Sequence, residues 1–140
     1  MKKGLPLSRL KMGMELPQVS AVIDRESINL YARASRDFNP IHIDQQFASK
    51  THFGGVIAHG MLVLSYVSRI LTAAFGQKWF DSCHLDVRFK TPARPGDKLT
   101  VSGIIRNIDI SQKERLVFCD VSCRNQKGEA VILGEARVRL

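Results

Sequence analysis

No Cys-x-x-Cys pair occurs in this sequence, and its three cysteines, Cys83, Cys119 and Cys123, have no recognised zinc-site spacing. Placed on one strand, Cys119 and Cys123 stand about 13 Å apart, beyond disulfide reach. All three read as small buried hydrophobes of a reducing cytoplasm, which is the expected location. The basic start Met1-Lys2-Lys3-Gly4-Leu5-Pro6 has no apolar run behind it, so neither a signal peptide nor a membrane span is expected. Repeats and low-complexity tracts are absent. Acids are in deficit: 13 Asp and Glu stand against 21 Lys and Arg, for a formal net charge of +8 and a pI near 9.8. The basic residues are scattered and no nucleic-acid motif accompanies them. The field they create favours an acidic ligand or an acidic protein rather than nucleic acid.

What the chain does have is apolar pattern. With 140 residues and 44% apolar side chains, it is expected to form one soluble domain over residues 1–140. An irregular lead-in to residue 17 precedes a short strand from Val19 to Ile23. Asp24 then caps a helix whose Ile28, Tyr31, Ala32 and Ser35 share one face. Asp44 is placed to cap a second, short helix through Gln45, Gln46, Phe47 and Ala48. The longest apolar stretch, Ile57 to Phe75, leaves almost no polar face and predicts a buried helix ending at Gly76. Everything after it reads as sheet. Leu85, Val87 and Phe89 alternate with His84, Asp86 and Arg88, and Leu99 to Ile105 alternates likewise. Leu116 to Cys123 and Ala130 to Leu140 flank the turn Asn125-Gln126-Lys127-Gly128. Helix followed by antiparallel meander gives an α+β class.

The chemistry concentrates in Ser35-Arg36-Asp37-Phe38-Asn39-Pro40-Ile41-His42. Asp37 and His42 leave the end of a helix on a segment bent by Asn39 and Pro40. Such a bend can aim a carboxylate and an imidazole at one water, a general acid/base arrangement. His42, Asp44, His52 and His59 have no recognised metal spacing, so no metal is expected.

This string, followed by Ala58-His59-Gly60-Met61-Leu62, resembles the hydratase motif of the MaoC-like, (R)-specific enoyl-CoA hydratases. The resemblance implies a hot-dog fold, with Ile57–Phe75 as the central helix inside a curved antiparallel sheet. It implies reversible hydration of a trans-2-enoyl thioester to the (R)-3-hydroxyacyl thioester, with no cofactor and no metal. Asp37 and His42 fall on the catalytic pair, with Asp37 favoured as the base towards water and His42 holding it. Asn39 falls on the motif asparagine, a structural role. Gly60 would offer its backbone N–H to the thioester carbonyl. Ser68 matches a serine that supports the catalytic residues, and His59 reads as positional. The implied partners are acyl-CoA or an acyl carrier protein, and a second copy of the chain in an edge-to-edge homodimer. The rival readings are a hot-dog thioesterase, which would not need the motif, and a non-catalytic acyl-binding subunit of a larger dehydratase.

Overall fold

A computed structural model describes residues 4–111 and 113–140. Val19–Val22 forms β1, followed by α1 (Arg25–Ser35), α2 (Pro40–Ile43) and α3 (Gln45–Ser49). The long helix α4 (Gly60–Phe75) and the short α5 (Gln77–Ser82) come next. The chain ends in β2 (His84–Phe89), β3 (Lys98–Asp109), β4 (Leu116–Arg124) and β5 (Ala130–Arg139). The strands make one antiparallel sheet in the order β1-β3-β4-β5-β2. Helix α4 packs against β1, β3 and β4.

The period-two alternation decides which side of the sheet meets α4. Leu99, Val101 and Ile105 of β3, Val117, Cys119, Val121 and Cys123 of β4, and Ile132, Ala136 and Val138 of β5 are buried. They close on Leu62, Val63, Val67, Ile70, Leu71 and Ala74 of α4 in one core cluster. Cys119 and Cys123 share β4, as expected, and both are free thiols inside this core, whereas Cys83, just ahead of β2, is exposed rather than buried. Burial pushes Cys119 up to about 12 and Cys123 up to about 11, so neither is a nucleophile at neutral pH.

Local signals explain where the helices begin. Asp24 and Ser27 form a capping box at the start of α1. Asp44 accepts from the Phe47 N–H at 3.0 Å and starts α3. Three expectations need correction. The Asn39-Pro40 bend is itself the start of a helical turn, α2, because Pro at the first helical position loses no hydrogen bond. The segment after Gly76 is not yet sheet: α5 intervenes, fastened by the buried Trp79. The central helix starts at Gly60 rather than Ile57, and Met61, Ser65 and Arg69 form an exposed stripe along it. Residues 56–58 are irregular and buried instead, tied by Ile57 N–H to the Ile41 carbonyl at 3.2 Å and Ala58 N–H to the Ala93 carbonyl at 2.8 Å.

Edge strand β2 is held against β5 by a glycine. Gly134 lies opposite Val87, and a Cβ there would stand 2.2 Å from the Asp86 carbonyl oxygen and 2.6 Å from the Val87 Cα. Both neighbours are backbone, so the strand must move to admit a methyl group. Gly134→Ala should cost about 1–3 kcal/mol by overpacking. That corresponds to a drop of about 3–10 °C in the melting temperature by circular dichroism. A variant that melts within a degree or so of the native chain would show that β2 accommodates the methyl freely.

Candidate active site

Asp37 follows α1 through Arg36, which takes the left-handed conformation at φ 60° and turns the chain sharply. Two local bonds hold the segment beyond it. The Asp37 N–H donates to Ser35 Oγ at 3.3 Å, and Asp37 Oδ1 accepts from the Asn39 N–H at 3.2 Å. Asn39 Oδ1 in turn accepts from the Ile41 N–H at 3.1 Å and caps α2. Asn39 therefore ties the bend at Pro40 to the start of α2. Because α2 is one helical turn, His42 swings inward and is buried, while Asp37 stays exposed.

The His42 ring is fixed by Nδ1, 2.8 Å from the Ile57 carbonyl. A carbonyl only accepts, so Nδ1 carries the proton and Nε2 is left with its lone pair. Asp37, His42 and His59 each bring a carboxylate oxygen or an imidazole nitrogen within 4.8 Å of the others. Hydrogen bonds of about 2.8 Å on each side span such a gap with one water. The His42 and His59 rings are stacked, centroids 3.9 Å apart and planes 29° apart.

Burial is the main cause that holds His42 below the ordinary imidazole value of 6.5, and His59 adds to the effect. The Ile57 carbonyl and Asp37 oppose it. The neutral ring is thus the form favoured in the folded protein. As pH falls through 6.5, the unfolded chain takes up this proton before the folded chain does. Stability present above 6.5 is therefore lost as pH drops towards the lower folded value. Urea midpoints should decline across that window, and His42→Asn should flatten the decline. An unchanged slope in that variant would assign the pH dependence to other groups.

His42 opens on a mainly apolar cavity of about 270 Å³, whose walls include Ile57, Gly60, Val63, Phe89 and Val131. Gly60 begins α4, whose N-terminus has no side-chain cap. Among the described residues no side chain caps its first-turn N–H groups, and the positive end of the helix dipole stands behind them. A Cβ at Gly60 would stand 3.0 Å from the Phe89 ring, so the glycine also keeps the helix end open towards the cavity wall. A larger hollow, of about 550 Å³, is lined by Glu15, Ser102, Asp120 and Ser122. It lacks His42 and Gly60, both of which line the smaller cavity, and we place the candidate site there.

Of the five expected residues, His42 and Gly60 line the cavity, Asp37 brings a carboxylate oxygen within 4.8 Å of a His42 ring nitrogen without lining it, and Asn39 caps the helical turn that carries His42. Ser68 is not brought there. It lies eight residues beyond Gly60, about 12 Å along the helix, and its Oγ accepts from Trp79 Nε1–H at 2.9 Å, tying α4 to α5. His59, read in the sequence only as positional, is in contact with the pair: it is 2% exposed and packs against His42. The signal that could have found it is its place as the residue before the helix-opening glycine, which fixes it at the same helix end.

Comparison with known proteins gives the family and the fold. The family model described as MaoC like domain matches residues 9–124. The mitochondrial 3-hydroxyacyl-[acyl-carrier-protein] dehydratase of Arabidopsis thaliana is 33% identical over 130 residues, covering 91% of this chain and 75% of that protein. The (R)-specific enoyl-CoA hydratase of Rhodospirillum rubrum is 31% identical over 123 residues, covering 86% of this chain and 81% of that one. Among solved structures, an R-hydratase of Pseudomonas aeruginosa in unliganded form superposes with a TM-score of 0.82 at 27% identity, over 98% of this chain and 89% of that one. The (R)-hydratase of A. caviae gives 0.81 at 27% identity, over 94% and 98% of the two chains. The fold is the hot-dog of these hydratases. Among the described residues no helix is long and apolar enough to cross a membrane.

Proposed function

The chain belongs to the MaoC-like dehydratase family, and we propose that it adds water reversibly to a trans-2-enoyl thioester, giving the (R)-3-hydroxyacyl thioester. The observation that carries this reading is the meeting of Asp37 and His42 across one water's width, beside an apolar cavity that opens onto an uncapped helix end. The acyl chain enters the cavity with its thioester oxygen towards the Gly60 N–H. Asp37 and the lone pair of His42 Nε2 hold the water. As its oxygen bonds to Cβ, the pair takes one proton, and the π electrons move onto the thioester oxygen as an enolate. That charge develops against the N–H groups of α4. The proton then passes from the pair to Cα, the enolate collapses, and water has been added on one face. Dehydration is the same path in reverse.

The surplus charge of +8 supports an acidic carrier of the acyl group, acyl-CoA or an acyl carrier protein. Both β1 and β2 are sheet edges, and an open edge favours pairing, so the working unit is proposed to be a homodimer. Loss of absorbance at the enoyl-thioester band with crotonyl-CoA tests the reaction. Release of free thiol instead would mean a thioesterase, and tight binding without turnover would mean a non-catalytic subunit. Light scattering that gave only a monomer would remove the dimer.

A further inference from the structure

The exposed carboxylate of Asp37 sits on a loop, yet acid/base work needs it held to a fraction of an ångström. Its two bonds to Ser35 and Asn39 are local and travel with the loop. Among the described residues, one hydrogen bond fastens Asp37 to the rest of the fold: His59 Nε2–H donates to the Asp37 carbonyl at 3.0 Å, across 22 positions of sequence. The same ring stacks on His42 at 3.9 Å and meets Tyr31 of α1 at 4.9 Å and 54°. Its backbone is the N-cap of α4. Among the described residues its other nitrogen, Nδ1, is buried without a hydrogen-bond partner, an arrangement that costs free energy.

We propose that His59 is a positioning residue for the reaction: its Nε2–H fixes the Asp37 backbone, and its ring face sets His42 and the Gly60 helix end in register with it. The inference rests on reading Asp37 and His42 as the acid/base pair. His59 is not among the residues that wall the cavity. Its loss should therefore reach kcat through the misplaced pair and leave substrate binding nearly alone.

Three variants separate the parts. His59→Gln carries an amide nitrogen as many bonds from Cβ as Nε2 and keeps the donor. His59→Asn is one bond too short to reach the Asp37 carbonyl. His59→Phe keeps the ring face and loses the donor. Rates are measured with crotonyl-CoA, and each fold is checked by circular dichroism. His59→Phe and His59→Asn should lose on the order of 10–100-fold in kcat with KM changed by less than about threefold, as expected for a small misplacement. His59→Gln should recover about tenfold over His59→Asn, since the donor anchors the base. If His59→Phe does not fold, the comparison of Asn with Gln carries the same test. Near-native kcat in a folded Phe or Asn variant would overturn the proposal. So would a loss confined to KM, or a Gln variant no better than Asn. Asp37→Asn is assayed alongside. Full activity there would remove the pair itself, whereas an inactive Asp37→Asn beside fully active His59 variants would remove only the role of His59.

Discussion

Asp37→Asn and His42→Asn should each lower kcat for hydration of crotonyl-CoA by a factor on the order of 10²–10⁴, the range for removing a positioned acid or base. Both substitutions are chosen to leave the scaffold alone. Asparagine at position 37 keeps an oxygen to accept the Asn39 N–H that Asp37 Oδ1 now accepts. Asparagine at position 42 carries an N–H where Nδ1 now serves the Ile57 carbonyl, so that buried acceptor is not orphaned. What each variant loses is the group that exchanges a proton with water. The double variant should be scarcely slower than the worse single one, because both residues act on the same water. Melting temperature should change little, and KM should change less than kcat. A folded variant of either residue with near-native kcat would break the pair assignment. Fully additive losses would mean that the two side chains serve different steps.

Features that depend only on neighbours along the chain are legible in the sequence itself. The cap at Asp24 needs only neighbours a few residues on and forms as expected, and Ser27 closes it into a capping box not read from the sequence. The period-two pattern of Leu99 to Ile105 becomes the buried face of β3. The turn at Asn125 closes with the Gly128 N–H on the Asn125 carbonyl at 3.0 Å. Short helices are harder. Six residues of α5 with a single buried side chain give no helical period to detect, and a proline that breaks a helix interior also starts a helix well, as Pro40 does. Contacts across the fold are not legible at all. His59 meets Asp37 from 22 positions away, and Ser68 meets Trp79 from 11. The place before the helix-opening glycine puts His59 at the helix end, but that its ring reaches Asp37 is not written in the neighbouring residues. The same holds for a serine that fastens α5 rather than the pair.

Gly60→Pro should fold and yet lose on the order of 10²–10³ in kcat, the cost of removing one oxyanion donor. Folding is expected because Gly60 is the first residue of α4, where a proline gives up an N–H that no helical carbonyl uses. The residue before a proline must be extended, and His59 already stands at φ −58° and ψ 133°. The added ring atoms come against Phe89, whose side chain is 53% exposed and has room to turn aside. The N–H is what the variant deletes. If that N–H meets the enolate oxygen, the transition state suffers more than the bound substrate, so kcat should fall with a small change in KM. Gly60→Ala is the control. It places a similar carbon 3.0 Å from the Phe89 ring but keeps the N–H, so it should lose less than about tenfold, and that part as crowding. The ratio between the two variants isolates the hydrogen bond from the wall. Equal losses in Pro and Ala would mean that Gly60 serves only to leave space beside Phe89. The developing charge would then have to be met by other N–H groups of the first turn of α4.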